Sequence, residues 1–191
     1  MPLLRLQYPY SELVFIDDGH SGLQVNGQET LNWPEFSSCR SRDKAVSIAI
    51  ANSQIRETLA KKCDTVGIPL IEARAASVVQ MDGVNIEDGA CLSPFVTLTS
   101  NIRIGRCFQA NLYSYVEHDC VIGDYVTFSP GAKVNGNVII GDHAYIGSGA
   151  VIRQGIKIGA HATVGMGAVV TRDVPPGQTV IGNPAKPMIK D

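Results

Sequence analysis

The sequence predicts a parallel β-helix behind a small α/β unit, and three observations predict it. First, from Ile86 to Val170 every sixth residue is apolar, through Leu92, Leu98, Ile104, Val116, Ile122 and Phe128 to Val164, without a slip. Second, four residues after each of these beats stands another restricted position, as at Ala90, Val96, Ile102, Phe108, Ser114, Cys120 and Ala132. Third, ahead of the repeat, apolar runs at 45–50 and 68–71 flank a segment with helical spacing. A helix would repeat its apolar face every ~3.6 residues, and a flat strand would alternate in twos. A period of six is the hexapeptide signature of a parallel β-helix.

Three hexads make one triangular coil of eighteen residues, so the beats predict about five coils stacked ~4.8 Å apart. The apolar beats should line a dry central column. Gly105, Gly123, Gly141, Gly147, Gly159 and Gly165 follow the beat directly. They are expected at corners that need positive φ.

Taken in order, Leu3, Leu4 and Leu6 end a helix that breaks near Tyr8-Pro9. Residues 13–16 read as a short strand running into Asp17-Asp18-Gly19-His20. An acidic residue after a strand is where nucleotide-binding α/β folds hold a ribose or base. The same residues also make an ordinary turn, and the spacing leaves both readings open. Asn26-Gly27 marks a hairpin. Residues 45–50 form a second buried strand, and Asn52 or Ser53 caps a helix to about Cys63. Ile55, Leu59 and Cys63 share its apolar face. Gly67 ends that unit, and 68–71 form a third strand. Strand, helix, strand implies a small parallel sheet. The expected domains are therefore 1–79, α/β, and 80–191, the β-helix, with 72–83 as a lead-in. Asp173-Val174-Pro175-Pro176-Gly177 should stop the coils, leaving 180–186 as a final strand and loop.

Composition excludes several classes. With 16 basic and 18 acidic residues the net charge is −2, and no basic block suits nucleic acid. No apolar run approaches the ~18 residues of a membrane span, and the start lacks the apolar core of a signal peptide. Five cysteines, an odd number with no CxxC pair, read as reduced thiols of a cytosolic protein, with Cys120 packed inward.

Catalytic residue types are few in the repeat. His118 stands two residues after the beat at Val116 and should point outward. Asp119 follows it and can hold one ring nitrogen, leaving the other to accept a proton. Gly136 comes eighteen residues after His118, one coil on. A glycine N–H beside a general base is the pairing acyl transfer needs. His143 and His161 are also eighteen apart and should stack, but His118 falls away from them. No third ligand completes a zinc site, so no metal is expected.

The segments NLYSYVEHDCVIGDYVTFSPG at 111–131, NGNVIIG at 135–141, GMGAVV at 165–170 and GNPAK at 182–186 carry a resemblance. Across most of 12–188 the chain resembles the left-handed β-helix sugar acetyltransferases of the sialic-acid O-acetyltransferase and bacillosamine/perosamine N-acetyltransferase type. The resemblance implies a homotrimer with acetyl-CoA between neighbouring β-helices. It implies His118 as general base, oriented by Asp119, and the Gly136 N–H on the thioester oxygen. It places Asn111 at the acceptor sugar and the backbone of Ser148 and Met166 along the pantetheine arm. Asp17, Asp18 and Asn52 match positions that contact the nucleotide-sugar in a Rossmann-like N-terminal domain. That domain lacks, in this chain, the first strand and glycine-rich loop the family usually has. Thr127 stands where many members have a second histidine, and Ala51 where a glycine often precedes Asn52. The implied reaction is acetyl transfer to the amino group of a nucleotide-linked amino-deoxy sugar in surface-glycan synthesis, in the cytoplasm. The alternatives are O-acetylation of a sugar such as a sialic acid, and a non-catalytic trimeric scaffold.

Overall fold

We describe residues 1–41 and 43–188 in a computed structural model. The chain packs as two compact units, Met1–Lys44 and Ala45–Asp191.

The first unit contains α1 (Pro2–Gln7), β1 (Phe15–Ile16), β2 (Gln24–Val25), β3 (Gln28–Leu31) and α2 (Trp33–Ser38). α1 stops ahead of Tyr8-Pro9, since the residue before proline disfavours helix. β2 and β3 make the expected hairpin, with Asn26 at φ 50° and Gly27 at φ 73° in its turn. β1 adds in parallel to β3, Phe15 opposite Thr30. α2 was not foreseen, although its signal is in the sequence. Asn32 accepts from the Glu35 N–H while the Glu35 carboxylate accepts from the Asn32 N–H, the reciprocal pair of a capping box.

The second unit opens differently from expectation. Of 45–50, only Val46 pairs, in a single parallel bridge to Leu70. The later carbonyls are taken by side chains. Ile48 O accepts from Gln109 Nε2 at 3.1 Å and Ile50 O from Arg56 Nη1 at 2.7 Å. No strand ladder is left to form there. α3 (Ser53–Thr65) is capped by Asn52, whose Oδ1 accepts from the Gln54 and Ile55 N–H groups at 3.1 Å. Its buried residues are Arg56, Ala60 and Cys63, while Ile55 is exposed. Of the expected face, Cys63 is buried and Ile55 is not, so the buried side is shifted toward Arg56 and Ala60. The Arg56 guanidinium turns inward because unpaired carbonyls await it there, at Cys107 (2.9 Å) and Tyr125 (2.5 Å). α3 and its flanks pack within the second unit, so the compact units divide ahead of residue 79.

The rest is a parallel β-helix, mostly of two-residue strands, in three faces. The first face begins at Ala73–Arg74, the second at Val79–Gln80, the third at Asn85–Ile86. Until the final coil, strands pair with those eighteen residues on, as Tyr115 with Lys133 and Val121 with Ile139. From Leu92 to Val170 the beats are buried, and so are the second positions from Ala90 to Ala168. Each hexad thus sends two side chains into one continuous core.

Three expectations about this domain need correction. Residues 72–83 are coil, not lead-in, since Ala73 pairs with Cys91 and Val79 with Thr97. The apolar test missed them because Arg74 and Gln80 hold the beats there, although Val78 and Val84 still pack on the core. Residues 173–177 do not stop the stack. Val174 bridges to Ile158, and Thr179 pairs with Thr163 after sixteen residues instead of eighteen. The two prolines lie at the corner, where no ladder donor is required. Finally, the glycines after the beat do not supply positive φ. That conformation falls two residues later, at Asp119, Asn137, His143 and Gly155 among others. The post-beat glycines instead make room for the next coil. A Cβ on Gly147 would lie 2.6 Å from the Met166 nitrogen.

Candidate active site

The corner that follows the second face carries His118 and Asp119 side by side. His118 closes the hexad after Val116 with its side chain half exposed. Asp119 takes the positive-φ position, at φ 59°, a conformation Asp adopts at modest cost. Its Oδ2 lies 2.8 Å from His118 Nδ1. A carboxylate on that nitrogen holds the proton on Nδ1 and leaves Nε2 with its lone pair. Asp119 sits below the usual carboxylate range, first through its bond to His118 and then through Asn101. Asn101 Nδ2 donates to Asp119 Oδ1 at 3.1 Å.

Gly136 lies one coil on, and the imidazole is laid against it. A Cβ there would be 2.5 Å from His118 Cε1 and 2.6 Å from Nε2. Asn137 N–H donates to His118 O at 2.8 Å and fixes the register. The Gly136 N–H has no backbone partner among the described residues. An imidazole, a carboxylate bonded to it and a glycine backbone one coil on therefore lie together at this corner. That set can deprotonate a nucleophile and stabilise an oxyanion.

The other expected residues lie elsewhere. Asn111 follows the first-face strand Gln109–Ala110, and its Nδ2 donates to Phe128 O at 3.1 Å. Ser148 and Met166 follow strands of the first face in successive coils, with Gly167 N–H on Ser148 O at 2.8 Å. Within one chain they stand at a different corner from His118 and Gly136. Asn52 caps α3, as described. Asp17 and Asp18 belong to the first unit. Asp17 accepts from the Gly19 N–H and meets His20 Nδ1, each at 2.9 Å. Asp18 accepts from the Trp33 N–H at 2.7 Å and so braces α2. These contacts are those of the turn reading. Thr127 is buried, its hydroxyl held by Arg56 Nη2 at 3.0 Å.

His143 and His161 stack as expected, with ring centroids 4.6 Å apart. Tyr125 extends the stack at 5.1 Å, and Glu57 of α3 approaches His143 Nε2 at 3.5 Å. Among the described residues no three His, Cys, Asp or Glu side chains gather as a metal site. A groove of about 340 Å³ lies on the third face, lined by Asn85, Glu87, Arg103, Val121 and Asp124 among others. Arg56 and Asn101 were not foreseen. Asn101 was within reach, since it stands eighteen residues before Asp119.

Comparison with known proteins adds the following. Residues 137–172 match the family described as hexapeptide repeat of succinyl-transferase. A curated relative, the GDP-perosamine N-acetyltransferase of Escherichia coli O157:H7, is 51% identical over 126 residues, or 66% of this chain and 57% of that protein. The match thus spans little more than half of that relative's length. Among solved structures, WeeI from Acinetobacter baumannii AYE is 53% identical with a TM-score of 0.96, covering 98% of this chain and 92% of that one. A histidine-to-asparagine mutant of perosamine N-acetyltransferase from Caulobacter crescentus, in complex with CoA and GDP-perosamine, is 27% identical. Its TM-score is 0.93, and it covers 99% of this chain and 90% of that one.

Proposed function

The chain belongs to the hexapeptide-repeat sugar acetyltransferases of the left-handed β-helix type, and on that premise we propose that it transfers an acetyl group from acetyl-CoA to the amino group of a nucleotide-linked amino-deoxy sugar. The observation that carries the reading is the His118–Asp119 pair laid against Gly136. The relatives that act on or bind GDP-perosamine make that sugar the first candidate.

His118 Nε2 accepts the proton lost by the attacking amine. The amine nitrogen bonds to the thioester carbonyl carbon, and the developing oxyanion meets the Gly136 N–H. As the tetrahedral species collapses, the C–S bond breaks and His118 returns its proton to the leaving thiolate. Asp119 holds the imidazolium in place during that exchange. Acetyl-CoA supplies the acetyl group and the thiol leaving group. The backbone at Ser148 and Met166 is assigned to its pantetheine arm, and Asn111 to the acceptor sugar. Because Ser148 and Met166 stand at a different corner from His118, the reading requires a second copy of the chain to complete the site, as in a homotrimer. The resemblance assigns Asp17 and Asp18 of the first unit to the nucleotide of a Rossmann-like substrate domain, and it gives Asn52 of the second unit a substrate contact as well. The product serves surface-glycan synthesis, and the free thiols suit a reducing cytoplasm.

The test is release of free thiol from acetyl-CoA with GDP-perosamine and a panel of UDP-, dTDP- and CMP-linked amino and hydroxy sugars. One amino sugar should turn over, and His118→Ala should lose about 10²–10⁴ in rate. The active species should weigh three chain masses by light scattering. Turnover of hydroxy sugars alone, or an unimpaired His118→Ala, would overturn the proposal.

A further inference from the structure

We infer that Asn101 is a positioning residue for the base, holding the Asp119 carboxylate so that its other oxygen faces His118 Nδ1. The inference rests on the acetyl-transfer reading above and adds a residue to it.

The geometry is a relay along one corner. Asn101 Nδ2 donates to Asp119 Oδ1 at 3.1 Å, and Asp119 Oδ2 meets His118 Nδ1 at 2.8 Å. Each carboxylate oxygen thus has one partner, which fixes rotation about the carboxylate's own bond. Without the amide, the carboxylate is free to swing out, because Asp119 is about half exposed. Asn101 is itself held. It takes the positive-φ position one coil below, at φ 59°, and its backbone N–H donates to Asp82 O at 3.0 Å. Beneath its side chain lies Gly83, where a Cβ would be 2.9 Å from Asn101 Oδ1. The corner therefore reads Gly83, Asn101, Asp119, with room left at the first for the second to orient the third. An amide suits this place for a chemical reason. It donates to the carboxylate without adding charge, so it steers Asp119 and brings no further anion to the corner.

The charged groups around His118 are few. Asp119 and Glu117 flank it on its own turn, and the Cys120 thiol lies 3.6 Å from its carbonyl. The coil above presents Asn135, Gly136 and Asn137, and the coil below Thr99, Ser100 and Asn101, all uncharged. Asp82 is the next carboxylate, two coils below.

Two variants separate positioning from mere packing. Asn101→Asp keeps the size and tolerates positive φ but cannot donate, and it adds a second anion. Asn101→Gly also tolerates positive φ and removes the amide. Both are compared with wild type and His118→Ala in the thiol-release assay across pH 5.5–9 (a range chosen about the ordinary His value of ~6.5), with melting checked for each. Asn101→Gly should lower kcat about tenfold with the acetyl-CoA KM changed less than about twofold. Asn101→Asp should move the acidic limb of the kcat profile to higher pH, since a second anion favours imidazolium. If wild type turns over and His118→Ala does not, yet both Asn101 variants keep the wild-type kcat and pH limb, the inference fails while the acetyl-transfer reading stands. A silent wild type would overturn both.

Discussion

At Gly136 there is no room for a methyl group, and the reason is the imidazole of His118. A Cβ would sit 2.5 Å from its Cε1. Gly136→Ala must therefore push the imidazole away from the glycine, and under the proposed mechanism that separates base from oxyanion donor. The expected outcome is a fall in kcat of about 10²-fold, the size of losing an oxyanion contact or a general base, with the far-ultraviolet circular dichroism unchanged. A wild-type rate in that variant would mean the ring can reseat without cost. His118 and Gly136 were readable in the sequence because eighteen residues is one coil, so the register alone stacked them. Asn101 obeys the same register, but its role depends on an unusual backbone angle that the repeat does not spell out. Asp17 and Asp18 illustrate the opposite case. Their composition fits both a turn and a ligand, and each carboxylate is engaged by neighbouring backbone.

At the scale of elements, legibility followed how an element pays its hydrogen bonds. The hexads were plain, since strand after strand pairs in parallel at one spacing and inward positions recur on a fixed beat. The segment 45–50 was not, because its carbonyls are taken by Gln109 and Arg56, far away in sequence. For the same reason α3 buries Arg56 and exposes Ile55, against its apolar pattern. The corner under α3 carries its own consequence. His143 is stacked between Tyr125 and His161, and its Nδ1 is buried without a partner. Burial, and then the neighbouring His161, hold this imidazole below its ordinary value of 6.5. Below pH 6.5 the unfolded chain therefore binds a proton that the native state resists. Stability from this group is complete above that pH and is lost as pH falls toward the lower folded value. His143→Tyr, which repeats the residue at 125 in the same column, should flatten that part of the stability–pH curve in urea titrations. An unchanged curve would assign the acid sensitivity to other groups.

At the scale of the whole molecule, a stack of identical coils has a property no globular core shares: each exposed end is a template for another copy. Here the last coil answers that hazard. Val174 covers the end of the third face, residues 182–185 bond to Val169 on the second, and an antiparallel strand, Lys186–Pro187, closes the first. Reversing the strand direction and offering proline removes the pattern a further parallel coil would read. A chain ending at Arg172 would present three raw edges at once. Light scattering should then report species that lengthen with concentration, where the chain that keeps residues 173–187 holds one mass. The shortened, proline-bearing coil is in this sense a terminator, and what it prevents is a fibre.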